Sequence, residues 1–167
     1  MTMPTDLALD AAADFYRRCA EDRDDDGLFL PDWGLEDWRA LFVHTTTQIL
    51  ESGEALLRRG ESDRALYFVV GGALEVSAAA ARGGALGGLF RETPGSVIGE
   101  ISFFDGRGRS ATVWASQRTQ LLRLDFHGFL AFADERPARA RELLFALGRV
   151  IAWRLRRGEA RRDHWPY

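Results

Sequence analysis

From Gly53 to Val76 the chain reads GEALLRRGESDRALYFVVGGALEV, and this stretch decides the fold. Short apolar runs are separated by glycine-containing turns. Gly53-Glu54 leads into Ala55-Leu56-Leu57, and Gly60-Glu61-Ser62-Asp63 forms a loop. Leu66-Tyr67-Phe68-Val69-Val70 is aromatic and β-branched, as strands are, and reads as a buried strand. Gly71-Gly72 makes a tight turn before another strand from Ala73 to Ser77. Evenly spaced short strands predict a β-sandwich or jelly roll.

Working outward, Ala78 to Gly88 is an Ala/Gly tract that reads as a hairpin loop. Leu86 to Thr93 is an expected strand, Pro94-Gly95 a turn, and Ser96-Val97-Ile98 delivers the chain to Gly99. The next segment, Gly99 to Val113, is GEISFFDGRGRSATV. It turns at Asp105-Gly106, returns through Arg109-Ser110-Ala111 and continues as a strand to Ala115. A first helical turn offers backbone N–H groups to an anion. A guanidinium such as Arg109 adds a bidentate partner for phosphate. Glu100 would repel that phosphate, so it makes sense only if the same ligand also carries hydroxyl donors, as a ribose does. One compact ligand with a phosphate and a free ribose hydroxyl satisfies both groups.

These residues resemble the phosphate-binding cassette of the cyclic nucleotide-binding domain family. That family includes the catabolite activator proteins and the regulatory subunits of cyclic-AMP-dependent protein kinase. Its pattern is Gly-Glu, an apolar residue, a small residue, apolar residues, a turn, then Arg, followed by Ser, Thr or Ala and another Ala. The matching positions are Gly99, Glu100, Ile101, Ser102, Phe103, Arg109, Ser110 and Ala111. The Gly53–Val76 stretch fits the first half of the same domain, so the resemblance covers roughly Thr46 to Asp125 and the helix beyond. It implies a mainly β, double-stranded β-helix (jelly-roll) sandwich with N-terminal helices and a C-terminal helix pair. It implies a ligand set of Gly99, Glu100, Ile101, Ser102, Arg109, Ser110 and Ala111. Glu100 would accept from the ribose 2′-hydroxyl. Arg109 would bind the cyclic phosphate, helped by backbone N–H groups near Ser102 and by Ser110 or Ala111. Family members bearing Thr at position 110 tend toward cyclic GMP while Ser is tolerant, and cyclic AMP is expected over cyclic GMP. Trp153 could stack on the base as a lid or serve as ordinary packing. The implied role is a regulatory sensor, not an enzyme, that passes its signal to an effector protein or, through the last helix, to a homodimer mate. The alternative is an interaction module that keeps the fold and binds no nucleotide.

The flanks read as helices. Asp6 to Glu21 and Trp33 to Val43 carry apolar residues at helical spacing, with Trp33 and Trp38 as packing anchors. Asp125 is a good N-cap for a helix beginning at Phe126. Pro137 suits the first turn of a longer helix to about Arg157. Leu144, Leu147, Ile151 and Leu155 form its expected apolar stripe, and Gly158 its end. The chain divides into a helical segment (1–44), the sandwich with its C-terminal helices (45–157) and a tail (158–167).

Composition narrows the function. The chain has 167 residues with 46% hydrophobic content, enough for one domain with a core. Net charge is −3 and every cationic side chain is Arg, so non-specific nucleic-acid binding is not expected. The Arg-rich C-terminal helix reads as a solvated face. The one cysteine, Cys19, excludes an intramolecular disulfide and argues against a Cys-ligated cluster. Asp22, Asp24, Asp26 and Gly27 match half of a calcium loop, but the closing position is Trp33 where Glu is needed. His44, His127 and His164 lack metal-ligand spacing, so no metal is expected. There is no signal-peptide pattern and no membrane-length apolar run. The expectation is a cytoplasmic bacterial protein with no membrane partner.

Overall fold

The computed structural model describes residues 5–21, 33–78 and 89–162. Two helices, α1 (Thr5–Glu21) and α2 (Leu35–Phe42), precede the strands β1 (Thr46–Leu50), β2 (Ala55–Leu57), β3 (Ala65–Gly71), β4 (Leu74–Ala78), β5 (Leu89–Glu92) and β6 (Val97–Ile98). A short helix, α3 (Glu100–Asp105), then leads to β7 (Ala111–Ala115) and β8 (Thr119–Asp125). Two helices follow, α4 (Phe126–Glu135) and α5 (Pro137–Arg162). The strands make two antiparallel four-stranded sheets, ordered β1-β8-β3-β6 and β2-β7-β4-β5. This is the expected sandwich with flanking helices.

β3 explains why its sequence is apolar without alternation. Successive side chains of a strand point to opposite faces. Leu66, Phe68 and Val70 face the helices, while Ala65, Tyr67 and Val69 face the sandwich interior. β8, its antiparallel neighbour, repeats this division: Leu122 and Leu124 pack toward the helices and Leu121 toward the interior. The sheet containing them therefore has an apolar layer on each side. Apart from Tyr67 the interior layer is aliphatic, with Leu50, Leu57, Leu74, Ile98 and Val113. The helix-side layer is aromatic. Phe15 of α1 meets Trp38, Phe42 and Phe68 edge-on, with ring centroids 5.0, 5.3 and 5.6 Å away.

The helix ends follow local chemistry. The Asp125 side chain accepts from the Gly128 backbone N–H at 2.8 Å, capping α4 as its position predicts. α2 starts at Leu35 rather than Trp33, with Gly34 as its N-cap. Trp33 lies before the helix, buried, and its indole N–H donates to Glu142 of α5 at 2.7 Å.

Two features of α5 correct the sequence expectation. The helix runs through Gly158 to Arg162. A single interior glycine costs about 1 kcal/mol relative to alanine, which Arg, Glu and Ala neighbours can carry. Its core-facing stripe is also rotated. Ala140, Leu143, Leu147 and Val150 are buried, whereas Leu155 is 60% exposed and Phe145 is 72% exposed. Apolar residues lie all round this helix, so spacing alone did not choose the face.

The acidic stretch at Asp22–Asp26, the Ala/Gly tract from Ala79 to Gly88, and His164 fall outside the described residues. Among the described residues, no cluster of His, Cys, Asp and Glu is placed to hold a metal ion. No described helix is long and apolar enough to cross a membrane.

Candidate functional site

The site begins where β6 runs into α3. Gly99 has φ of 90°, a left-handed conformation that disfavours any side chain. Space forbids one too: a Cβ there would lie 2.5 Å from the Ala65 carbonyl oxygen and 2.6 Å from Arg109 Nη1. Glycine thus lets the backbone pass against the guanidinium. α3 is one and a half turns long and is fixed by its buried Phe103, whose ring sits 5.6 Å from Phe126 and 5.3 Å from Phe129 of α4. Ile101 and Phe104 of α3 remain exposed.

Arg109 is held inside the protein, with its side chain 2% exposed. Nη1 donates to the carbonyls of Ala65 and Gly99 at 3.0 and 3.3 Å, and Nη2 to Asp63 Oδ2 at 2.6 Å. Its Nε is buried and has no hydrogen-bond partner. Asp63 also accepts from the Tyr67 hydroxyl at 2.7 Å and from Arg123 at 3.0 Å. Burial pushes the Asp63 carboxyl upward, but the hydrogen bonds from Tyr67, Arg109 and Arg123 outweigh it and hold the group below the usual aspartate range. Burial and the same carboxylate push the Tyr67 phenol above its ordinary value.

Glu100 is buried as well, with its side chain 6% exposed, but its partner comes from elsewhere in the fold. Arg154 of α5 places Nη1 2.7 Å from Glu100 Oε1. The same guanidinium, through Nη2, lies 3.1 Å from Glu92 Oε1 of β5 and donates to the Val97 carbonyl at 2.9 Å. Burial alone would lower the Arg154 pKa; Glu100 and Glu92 reverse this and raise it.

A cavity of about 190 Å³ joins the two poles. Gly99, Glu100, Ile101, Ser102, Arg109, Ser110 and Ala111 all line it. The apolar part of its lining is Leu57, Val76, Phe90, Ile98 and Val113. Glu92 and Arg154 complete it. Trp153 is not among the lining residues; it is half-buried and engaged within the protein.

Residues 47–136, more than half of the chain, match the family model described as the cyclic nucleotide-binding domain. The chain belongs to the cyclic nucleotide-binding domain family. Among solved structures, it resembles a cyclic nucleotide-binding domain from Methylobacillus flagellatus, with a TM-score of 0.76 and 19% identity, covering 96% of this chain and 88% of that one. It also resembles the catabolite activator protein of Thermus thermophilus, with a TM-score of 0.67 and 24% identity over 82% of this chain and 62% of that one. At these identities the likeness establishes the fold. A protein of Rhodopseudomonas palustris named as a potassium channel is 33% identical over 127 residues, 69% of this chain. The matched region spans only 30% of that relative's length.

Three residues of this cyclic nucleotide-binding domain were not singled out from sequence: Asp63, Glu92 and Arg154. Arg154 fell within the Arg-rich stretch read as a solvated face. In the structure it follows the buried Leu143, Leu147 and Val150 at helical spacing, which makes it a cation on the core-facing side of α5. Such a residue needs a buried acidic partner. Asp63 and Glu92 carried no signal, since an acidic residue in a loop or at a strand end is ordinary.

Proposed function

We propose that the chain binds a cyclic mononucleotide, cyclic AMP in preference to cyclic GMP, and acts as a regulatory sensor rather than an enzyme. The observation that carries this is a single cavity lined by a buried guanidinium with an unused donor, Arg109, and a buried carboxylate, Glu100. A cyclic phosphate entering there gives Arg109 a strong anionic acceptor. Glu100 repels phosphate but accepts from a ribose 2′-hydroxyl, so a sugar phosphate suits this donor set better than inorganic phosphate. The apolar lining suits a purine face. Ser110, where the family's cyclic-GMP binders tend to carry Thr, supports cyclic AMP.

Ligand acts by differential affinity. It favours whichever placement of α3 and α5 binds it better, and populations shift by that difference. Output then passes to an effector protein or to a second copy through the outward face of α5, where Phe145 and Leu155 are exposed.

A second reading, a domain that mates with protein and binds no nucleotide, is favoured by one observation: both charged poles already have partners, Asp63 and Arg154. Thermal-shift titration separates the two. On the nucleotide reading, cyclic AMP raises Tm with concentration, cyclic GMP does so less, and Arg109→Ala abolishes the rise. A flat titration of the folded wild type with both nucleotides would leave the protein-mating reading standing.

A further inference from the structure

Arg154 serves two carboxylates at once. Its Nη1 is on Glu100 at 2.7 Å, and its Nη2 is on Glu92 at 3.1 Å and the Val97 carbonyl at 2.9 Å. Glu100 is the group that a ribose hydroxyl would need, and its carboxylate is almost fully covered. A hydroxyl is a weaker partner for a carboxylate than a guanidinium is. A ribose does not displace Arg154 if displacement strands a buried cation. The second carboxylate removes that obstacle. With Nη2 already on Glu92 and Val97, Arg154 can leave Glu100 and still be paired.

We infer that Glu92 is a positioning residue that sets nucleotide affinity by retaining Arg154 when the ribose takes Glu100. This rests on the nucleotide-binding reading above. The ligand it favours is a cyclic nucleotide with a free 2′-hydroxyl, because only that group competes for Glu100. Without Glu92, Glu100 is the one carboxylate left to Arg154 among those it touches, and the site holds itself closed to the sugar.

The test is a set of calorimetric or fluorescence titrations with cyclic AMP and with its 2′-deoxy analogue. The proteins are the wild type, Glu92→Gln, Arg154→Ala and the double variant, each first shown to be folded. Glu92→Gln should weaken cyclic AMP binding by about tenfold, the size of one lost charge-assisted bond. Arg154→Ala should bind cyclic AMP no worse than wild type, and in its background Glu92→Gln should have almost no effect. With the 2′-deoxy analogue, Glu92→Gln should leave affinity unchanged, which a merely structural role would not produce. Additive losses in the double variant, or a tenfold loss with the 2′-deoxy analogue, would overturn the inference. A loss in Arg154→Ala as large as that in Glu92→Gln would also overturn it, by making Arg154 a ligand contact. Wild type that binds neither nucleotide would sink the underlying reading, and the inference with it. Wild type that binds while Glu92→Gln is silent sinks the inference alone.

Discussion

The two poles of the cavity are both buried and both charged, yet they are built differently. Arg109 takes its partners from the sandwich: Asp63 in the loop before β3, the carbonyl at the start of β3, and the carbonyl of Gly99. Ala65 belongs to β3 and Gly99 follows β6, and these two strands pair in one sheet. Glu100 takes its partner from α5, 54 positions along the chain, through one guanidinium. The first pole is preorganised and the second conditional. A ligand that bridges them meets a fixed anchor at one end and, at the other, a contact it must exchange.

The largest break in this contrast should come from Arg109→Ala. The loss of two charge-assisted bonds, about 1.5–3 kcal/mol each, should reduce cyclic AMP affinity by more than about 100-fold in titration calorimetry. Folding should suffer less, because Asp63 keeps Tyr67 and Arg123. Gly99→Ala attacks the fixed pole through the backbone. Left-handed φ costs a non-glycine residue roughly 1–2 kcal/mol. Overlap with Arg109 and Ala65 adds to that, so a total loss of about 2 kcal/mol or more in denaturant unfolding is expected, with weakened binding.

The conditional pole is probed from the ligand side. Wild type should bind the 2′-deoxy analogue about tenfold more weakly than cyclic AMP, and Glu100→Ala should not discriminate between the two. Equal affinities in the wild type would separate Glu100 from the sugar. The smallest effect is one of pH. Asp63 has a folded-state pKa below its unfolded value, so its contribution is complete above pH ~4 and is lost as pH falls through the lowered pKa. Asp63→Asn removes that contribution at every pH. The Tm gap between wild type and Asp63→Asn should therefore hold constant from neutral pH to about pH 4.5 and narrow below about pH 4.

How much of this was legible in sequence differs between the same two poles. The Gly99–Ala111 segment is local, so its residue types and spacing announce a site that the fold then gathers on one cavity. The strands of the sandwich are legible for the same reason, since Gly53, Gly60 and Gly72 take up their turns with φ near 87°. Partners from afar are not announced. Asp63 lies 46 positions from Arg109, and only the β3–β8 pairing brings Arg123 to it. Arg154 was hidden by α5 itself, where Leu144, Leu147, Ile151 and Leu155 offer as convincing a stripe as Leu143, Leu147 and Val150. The choice between those faces belongs to the surface that the aromatic layer presents, which no window of α5 contains.

The tie between Trp33 and Glu142 has a mechanical consequence. Near its start, α5 is pinned to the N-terminal helical layer by that bond and by Arg139, which donates to Asp37 at 3.0 Å. Twelve residues on, or about 18 Å at 1.5 Å per residue, Arg154 ties the helix to Glu92, Glu100 and Val97. The helix is thus a lever with a bolted root and a releasable tip, and a small tilt at the root becomes a displacement of several ångströms at the tip.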